Sequence, residues 1–262
     1  MRIAILYICT GKYSIFWNSF YSSSEKHFLK DKEKHYFVFT DDEKIQNSDN
    51  IDVIYKKSKG FPYDSLFRFE MFLEIKSKLL FFDYVFFLNS NMLFVDSVGE
   101  EILPINYSSG LVATIHPGSY NKSFYFYNYE RNIMSTAYIP FKKNEKYYYY
   151  MGGFNGGKVL DFLELSEICG RNINQDFKKG IIAVYHDESH LNKYLHGKEI
   201  LRLSPEYGYP EDSNLPLNPK IIILNKIKHG GKYFDKLPQS DYISRFKRKS
   251  DRLISTFKWI FK

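Results

Sequence analysis

Short apolar runs alternate with amphipathic stretches through the first third of the chain. The runs predict four strands, Arg2–Cys9, His35–Phe39, Ile51–Tyr55 and Asp83–Leu88. Helical spacing predicts two helices between them, at about Tyr13 to Leu29 and Ser65 to Leu80. This rhythm is typical of an α/β protein with a mostly parallel, Rossmann-like sheet and right-handed crossovers.

The pattern becomes less regular after the fourth strand. Further short strands are predicted at Leu111–Ile115, Tyr147–Met151, Gly180–Tyr185 and Ile221–Leu224. Ser119–Asn128 is predicted to be an aromatic loop and Val159–Gly170 an amphipathic helix. We expect one domain over residues 1–238, in which two halves (1–91 and 92–238) share a cleft.

The net charge is concentrated at the end of the chain. Residues 241–262 hold seven basic and two acidic residues, so they carry most of the formal charge of +7. We therefore expect a basic amphipathic tail over 239–262 that contacts anionic membrane, with Trp259 at the interface. A packed helix and a solvated tail are the alternatives. Because the basic residues cluster in this tail and not on a motif-bearing face, a nucleic-acid partner is not expected.

Cysteine usage and the N-terminal segment suggest a cellular compartment. Cys9 and Cys169 lie far apart and are expected to be reduced core thiols. The chain starts directly with a predicted strand, has no signal-peptide pattern, and lacks the ~18 consecutive apolar residues of a membrane-spanning helix. These observations favour a cytoplasmic protein, which the tail could hold at the inner face of the cytoplasmic membrane.

The fourth predicted strand ends in Asn89-Ser90-Asn91. Open α/β sheets bind their ligands at the carboxyl ends of strands. Amide oxygens are weaker ligands for Mg²⁺ or Mn²⁺ than carboxylates, so a site here is predicted to work without a metal or other cofactor. The alternative is an ordinary asparagine turn.

A set of motifs, in order along the chain, resembles the retaining glycosyltransferases that include the blood-group A and B transferases and the α1,3-galactosyltransferase. The motifs are Gly11-Lys12-Tyr13, Tyr36 to Asp41, Asn89-Ser90-Asn91, His116-Pro117-Gly118, Tyr129-Glu130-Arg131, Ala137 to Pro140, Gly152 to Gly157, Tyr185 to Tyr194 and Leu203 to Tyr207. The resemblance implies a GT-A-type fold, in which residues 1–238 are the catalytic domain, with a nucleotide-binding half over 1–91 and an acceptor-binding and catalytic half over 92–238. Where most such enzymes have Asp-x-Asp, the Asn-x-Asn variant is similar to the bacterial branch, whose characterised members need no metal.

The resemblance assigns several residues to the UDP-sugar donor. Ile8, Thr10 and Tyr13 would contact the uridine; the alternative is a plain βα turn in which Tyr13 packs on its helix. Ser65 and Arg68 share a helix face and would bind the donor sugar or diphosphate; the alternative is that Arg68 pairs with Glu70 or Glu74. Since no metal is expected, a cation must stabilise the leaving UDP. Lys228 is predicted for this role ahead of Lys226 and Lys232.

Glu188 is the predicted catalytic residue. Retention at an anomeric carbon requires a carboxylate, or an equivalent group, on the sugar face opposite the leaving group. The resemblance places Glu188 there, either as a nucleophile or as an electrostatic stabiliser of front-face return. It also implies that Asp187 binds donor hydroxyls and that His186 orients the loop. A helix N-cap with an acidic first turn is the structural alternative.

The sequence predicts the donor sugar and the acceptor less specifically than it predicts the catalytic residue. Met151, Gly152 and Gly153 match the stretch that contacts the donor C2 substituent. Gly153 resembles the GalNAc-using enzymes, whereas Met151 resembles the galactose-using ones. The predicted acceptor-binding residues are His116, Ser119, Asn128, Tyr185 and Glu211.

We therefore expect transfer of GalNAc from UDP-GalNAc to the 3-hydroxyl of a galactose-terminated, fucosylated acceptor, which a lipid could carry. Transfer of galactose from UDP-Gal is one alternative. A non-catalytic nucleotide-sugar or glycan-binding module is the alternative from another class.

Overall fold

The computed structural model describes residues 1–235 and 254–260 and contains ten strands in two sheets. The strands are β1 (Arg2–Ile8), β2 (Glu33–Thr40), β3 (Ile51–Tyr55), β4 (Tyr84–Asn89), β5 (Met92–Phe94), β6 (Leu111–Ile115), β7 (Tyr150–Lys158), β8 (Leu201–Leu203), β9 (Tyr209–Pro210) and β10 (Ile221–Ile223). The helices are α1 (Trp17–His27), α2 (Tyr63–Leu66), α3 (Arg68–Glu74), α4 (Lys76–Leu79), α5 (Val159–Lys178), α6 (His186–Leu195), α7 (Lys226–Gly230), α8 (Lys232–Asp235) and a helix over 254–260.

The main sheet has seven strands in the order β3-β2-β1-β4-β7-β6-β8. The pairs β1–β2, β2–β3, β1–β4 and β6–β8 are parallel, whereas β7 is antiparallel to both β4 and β6. This confirms the predicted α/β class and the mostly parallel sheet. A second sheet, β5-β10-β9, joins the segment after β4 to the end of the described body.

The central strands are buried on both faces, as their continuous apolar runs predict. Alternate residues point to opposite sides, so Ile5 and Tyr7 face α1, while Ala4 and Leu6 face the opposite layer. That layer consists mainly of α3, α5 and α6. The result is a sheet between two helical layers, with the carboxyl ends of β1 and β4 side by side because Ile8 pairs with Asn89.

Several predicted elements differ in the structure. The strand predicted at Tyr147–Met151 instead spans Tyr150–Lys158, and the helix predicted from about Tyr13 starts at Trp17, after a 3-10 helix over Gly11–Phe16. The helix predicted over Ser65 to Leu80 is three short helices, because the backbone leaves helical geometry at Phe67 and Ile75. The predicted helix Val159–Gly170 extends to Lys178. The strand predicted at Gly180–Tyr185 is wrong. Gly180 has φ +72° and ends the α5 turn, and the segment that follows pairs with no strand of the described chain.

A third apolar cluster contains the last described helix. Trp259 is 3 % exposed and packs on Tyr129, Phe141 and Tyr147. Its indole N–H donates to the Ile139 carbonyl at 2.6 Å. The prediction that Trp259 lies at a membrane interface is therefore wrong, since its ring is buried in the protein. Most of the predicted tail, residues 239–253, lies outside the described residues.

Cys9 and Cys169 are free and buried, as predicted. Within residues 1–235 and 254–260, no helix has the length and apolar character needed to cross a bilayer.

Candidate active site

A cleft of about 460 Å³ lies at the carboxyl ends of β1 and β4. Its floor is formed by the two strand ends, and its walls come from the segment around α2 and from α7 and α8. The lining residues are Ile8, Thr10, Tyr13, Ser58, Gly60, Phe61, Asp64, Ser65, Arg68, Phe87, Asn89, Ser90, Asn91, Lys226, Tyr233 and Phe234. This is the position at which open α/β sheets bind their ligands.

Seven predicted donor-side residues meet in this cleft. They are Ile8, Thr10, Tyr13, Ser65, Arg68, Asn89 and Asn91. The sheet explains part of this grouping, because the ends of β1 and β4 are hydrogen-bonded neighbours. Arg68 is the first residue of α3 and follows α2, which forms a wall of the cleft. The other lining residues, among them Asp64, Phe61 and Tyr233, carry no motif that distinguishes them in the sequence.

Asp64 holds one wall of the cleft in place. Its carboxylate accepts hydrogen bonds from the hydroxyls of Thr10 (3.1 Å) and Ser58 (2.8 Å) and from the backbone N–H groups of Lys59 and Gly60. These bonds fasten the 58–64 segment to the end of β1, so the wall and the floor are oriented together.

Arg68 is buried and connects the donor cleft to the predicted catalytic loop. Its Nε lies 3.1 Å from Oδ2 of Asp187, and its Nη1 donates to the Gly152 carbonyl at 3.0 Å. The alternative pairing with Glu70 or Glu74 is wrong: Glu74 pairs with Lys56, and Glu70 accepts from Asn174. Since Arg68 also lines the cleft, it can bind an anionic group there while it orients Asp187.

Glu188 lies in the first turn of α6, and both of its carboxylate oxygens are held. The Tyr149 hydroxyl donates to Oε1 at 2.6 Å, and the Gly152 N–H donates to Oε2 at 2.7 Å. His186, two residues earlier, has a left-handed backbone with φ +49° at the start of this helix. The carboxylate therefore has a fixed orientation, as a group acting at an anomeric carbon requires.

Burial dominates the electrostatics of this site. It raises the pKa of Glu188, and the hydrogen bonds from Tyr149 and Gly152 oppose the rise. Burial also raises the pKa of Asp187, while Arg68 acts in the opposite direction. The pKa of Tyr149 lies well above its ordinary value because of burial and the Glu188 charge, so its hydroxyl remains protonated and donates.

Gly152 and Gly153 lie within β7, between the asparagine motif and the acidic pair. A β-carbon added at Gly153 would come 2.7 Å from Cε of Met151 and 2.9 Å from Nδ2 of Asn89. One added at Gly152 would lie 3.2 Å from Oδ2 of Asp187. The two glycines therefore allow the strand to pass close to both sets of polar groups. They serve no tight turn, which was the structural alternative.

The predicted acceptor-side residues are less closely grouped. The His116 ring lies 5.6 Å from the Tyr149 ring, and burial lowers the pKa of His116 to about 4. Tyr185 is 40 % exposed and directly precedes His186. Ser119 is buried, and Oδ1 of Asn128 is buried without a hydrogen-bond partner. Glu211 instead accepts from the Asn225 N–H at 2.7 Å and contacts His229, so it holds the start of α7.

Among the described residues, the lysine that lines the cleft is Lys226, two positions before the lysine predicted from the sequence. Its Nζ lies 3.1 Å from the Tyr13 hydroxyl and 4.7 Å from the centre of that ring. Lys228 points away from the cleft and pairs with Asp212, with 57 % of its side chain exposed. The structure therefore replaces Lys228 by Lys226 as the cation beside the asparagines.

The groups around the asparagine motif do not form a typical divalent-cation site. Within the described part of the chain, no three His, Cys, Asp or Glu side chains are grouped so that they could hold a metal ion. Nδ2 of Asn91 donates to the Leu224 carbonyl at 2.8 Å, so that side chain also anchors the segment before α7.

Comparison with known proteins identifies relatives of this architecture. The sequence profile of glycosyltransferase family 6 matches residues 1–233. The O-antigen biosynthesis glycosyltransferase WbnI of Escherichia coli is 39 % identical over 228 residues, which cover 86 % of this chain and 95 % of the relative.

Two vertebrate proteins are similar over most of this chain. The globoside α-1,3-N-acetylgalactosaminyltransferase 1 of Gallus gallus is 35 % identical over 86 % of this chain and 66 % of its own length. The histo-blood group ABO system transferase 2 of Rattus norvegicus is 34 % identical over 80 % of this chain and 64 % of its own length. The chain thus spans about two thirds of these vertebrate relatives.

Proposed function

The chain belongs to glycosyltransferase family 6, and on this premise we propose that it transfers GalNAc from UDP-GalNAc to the 3-hydroxyl of an acceptor galactose, with retention and without a divalent metal. It is a hexosyltransferase with a GT-A-type fold, and a retaining mechanism fits the family. The observation that carries the proposal is the Glu188 carboxylate, fixed by Tyr149 and Gly152 beside a cleft at the strand ends.

In this proposal Glu188 acts on the anomeric carbon. Its negative charge either forms a bond to that carbon or stabilises the oxocarbenium-like transition state while the acceptor enters on the leaving-group side. The hydrogen bond from the Tyr149 hydroxyl keeps one oxygen oriented. Asp187, aligned by Arg68, binds hydroxyls of the donor sugar.

The leaving diphosphate would be stabilised by fixed cations of the protein. Lys226 and Arg68 both line the cleft that contains Asn89 and Asn91. A cation held in a partly enclosed cleft stabilises charge that develops on a leaving phosphate, the role that a metal fills in other enzymes. The neutral amides of the Asn-x-Asn motif favour this arrangement, since they are weak ligands for hard cations.

The preference for GalNAc rests on Gly153. Gly153 resembles the GalNAc-using enzymes at the position where the donor C2 substituent is expected, and a β-carbon there would come 2.7 Å from Cε of Met151 and 2.9 Å from Nδ2 of Asn89. The G. gallus relative is named as an N-acetylgalactosaminyltransferase. Transfer of galactose is the second candidate, because the thioether end of Met151 lies at the Gly153 position and limits the room for an acetamido group.

The proposed acceptor is a galactose-terminated glycan with a fucose branch, giving a product like the blood-group A determinant. Tyr185 is 40 % exposed, three residues before Glu188, and can stack on a sugar face, and the buried Oδ1 of Asn128 lacks a partner. The name of the E. coli relative refers to O-antigen biosynthesis. We include in the proposal a lipid-linked acceptor and a location at the inner face of the cytoplasmic membrane, with the predicted contact through residues 239–262.

The alternative from another class is a module that binds nucleotide sugar or glycan without catalysis. A binder has no need of a buried carboxylate held by two hydrogen bonds. Donor turnover by the purified protein therefore distinguishes an enzyme from a binding module.

The test is transfer to a fucosylated galactose acceptor, measured with UDP-GalNAc and UDP-Gal in excess EDTA and again after addition of Mn²⁺. We expect turnover in EDTA, a higher kcat/KM with UDP-GalNAc, and little change with Mn²⁺. Activity that disappears in EDTA and returns with Mn²⁺ would contradict the metal-free mechanism. Absence of both transfer and donor hydrolysis under all conditions would favour the binding module.

A further inference from the structure

An exposed apolar face lies beside the Glu188 end of the cleft. Eight large side chains on three segments form it, each at least 38 % exposed. They are Phe61, Tyr63, Ile133, Met134, Phe177, Ile182, Val184 and Tyr185. We call this surface the rim face. Single exposed apolar residues are ordinary, but a contiguous group of this size on one surface is typical of an interaction site.

Direct contacts hold two of the three segments together. The Phe61 ring lies 4.9 Å from the His186 ring, edge to face, and the Tyr63 ring lies 6.3 Å from the Phe177 ring. The rings are therefore side by side across the boundary between α2 and the α5–α6 connection.

The third segment, which carries Ile133 and Met134, is fastened by two buried carboxylates. Glu130 accepts from the N–H groups of Asn132 and Val184, both at 2.7 Å. Asp176 accepts from the Ser135 hydroxyl at 2.6 Å and from the Thr136 N–H at 2.9 Å. These bonds place Ile133 and Met134 next to the end of α5, so the rim face is continuous.

The border of the rim face is basic. Lys57 and Lys59 precede Phe61, and Lys178 and Lys179 follow Phe177; all four are exposed. Within the parts of the chain that are described, no ion pair engages these four lysines.

The neighbouring carboxylates are less exposed than this border. Glu130 and Asp176 are buried and Asp64 is partly buried, while Asp187 is paired with Arg68. The face thus combines exposed aromatic and aliphatic side chains with exposed positive charge.

We propose that the rim face binds the surface of an anionic lipid bilayer. Apolar side chains bordered by lysines bind such surfaces because the side chains enter the headgroup layer while the ammonium groups contact anionic lipid. A second copy of the chain is a poorer occupant. A twofold interface would bring the same lysine border against itself and repel.

The rim face lies next to the catalytic residues, and the consequence of this position for catalysis rests on the proposed function. Tyr185 directly precedes His186, Asp187 and Glu188, and Phe61 also lines the cleft. A bilayer against the rim face therefore lies at the mouth of the active site. An acceptor sugar anchored to lipid would be presented there without leaving the membrane.

The test compares two double variants of the full chain. Ile133→Ser/Met134→Ser removes two neighbouring residues of the rim face that are 57 % and 63 % exposed. The matched control, Leu80→Ser/Phe81→Ser, removes a neighbouring pair that is 52 % and 66 % exposed. That pair precedes the amino end of β4, so it lies at the other end of the sheet.

The measurement is co-sedimentation with phosphatidylcholine vesicles with and without phosphatidylglycerol. We expect the wild type to bind the anionic vesicles and to dissociate at high salt. The rim variant should bind about tenfold more weakly, as for a loss of partly buried apolar area, and the control should bind like the wild type. Equal binding by the two variants would overturn the proposal and leave residues 239–262 as the membrane contact.

A charge pair provides a second measurement. Lys179→Gln should weaken binding to anionic vesicles about fivefold, since a lysine near such a surface contributes about 1 kcal/mol. Lys158→Gln, at the other end of α5, should leave binding unchanged, and equal effects of the two would contradict a local contact. Dimerisation in sedimentation velocity that is lost only in the rim variant would assign the face to a second copy, also against the proposal.

Transfer to a soluble acceptor is measured in parallel, because Ile133 and Met134 lie outside the cleft. We expect both double variants to retain it. If neither the wild type nor any variant transfers sugar, but only the rim variant loses vesicle binding, the proposed function fails and the bilayer contact is supported.

Discussion

The two sides of the cleft are built differently. On the donor side, the ends of β1 and β4 are hydrogen-bonded neighbours in a sheet buried on both faces, so the sheet itself fixes Ile8 and Asn89. On the acceptor side, the chain between β6 and β7 is largely irregular, and buried polar groups such as Glu130 and Asp176 fasten it to α5 and to the segment between α5 and α6. The donor side therefore depends on packing, whereas the acceptor side depends on specific hydrogen bonds.

The largest expected effect is at the junction of the two sides. Glu188→Gln removes the negative charge but keeps the shape, so kcat should fall by orders of magnitude with little change in donor binding. Tyr149→Phe should lower kcat on the order of tenfold or more, since it removes one hydrogen bond to the charged carboxylate. Steady-state kinetics and UDP-sugar titration check both variants. Turnover of Glu188→Gln within a few-fold of wild type would exclude the catalytic role.

A pair of lysines tests whether the donor side stabilises the diphosphate. Lys226→Ala should reduce kcat/KM on the order of 100-fold, because it removes a cation from the cleft wall. Lys228→Ala is the matched control, two residues away in the same helix; its exposed pair with Asp212 contributes little, so activity should change by less than about twofold. Comparable losses in the two variants would mean that α7 acts as a whole and not through Lys226.

The donor sugar can be tested at the strand between the two sides. Gly153→Ala adds a methyl group against Met151 and Asn89, and one methyl group in a pocket typically changes discrimination by ~1–3 kcal/mol. We expect kcat/KM for UDP-GalNAc to fall more than for UDP-Gal. The ratio of the two constants is the measurement, and an unchanged ratio would place the C2 substituent elsewhere.

The smallest expected effect concerns acid stability on the acceptor side. His190 is 2 % exposed, and burial lowers its pKa from 6.5 to about 4. The unfolded chain therefore binds the proton first as pH falls. The stabilising contribution is complete above about pH 6.5 and is lost towards pH 4, amounting to about 1–3 kcal/mol.

His190→Gln should flatten the decline in the free energy of unfolding between pH 6.5 and 4, measured by urea titration at each pH. His27→Gln, at the end of α1 on the donor side, serves as the control. An equally steep decline in His190→Gln would show that other groups dominate acid sensitivity.

The same contrast explains what the sequence could predict. The donor-side residues follow apolar runs, and the carboxyl ends of parallel strands share one edge of a sheet, so their grouping follows from the strand pattern. The run Tyr147 to Tyr150 gives no such signal. Four consecutive tyrosines do not show that only Tyr149 reaches Glu188, because that depends on where β7 starts.

Two further differences have similar physical causes. Lys226 and Lys228 are two residues apart, and their sequence spacing does not show which faces the cleft until the Asn225 cap sets the start of α7. Residues 180–185 have the composition of a buried strand, yet Ile182 and Val184 are exposed on the rim face. Apolar composition indicates burial only where a partner element covers it.

The chain contains two tryptophans, and each is buried on a different side of the cleft. Trp17 packs among Tyr7 and Tyr36 behind the donor side, whereas Trp259 lies within the acceptor-side cluster, with the Arg131 guanidinium 5.3 Å from its ring. Trp17→Phe and Trp259→Phe would each leave a single tryptophan, so emission excited selectively from tryptophan would report on one side alone. The enzyme therefore carries its own pair of optical probes, which can show whether the two sides unfold, or respond to donor and acceptor, together or in sequence.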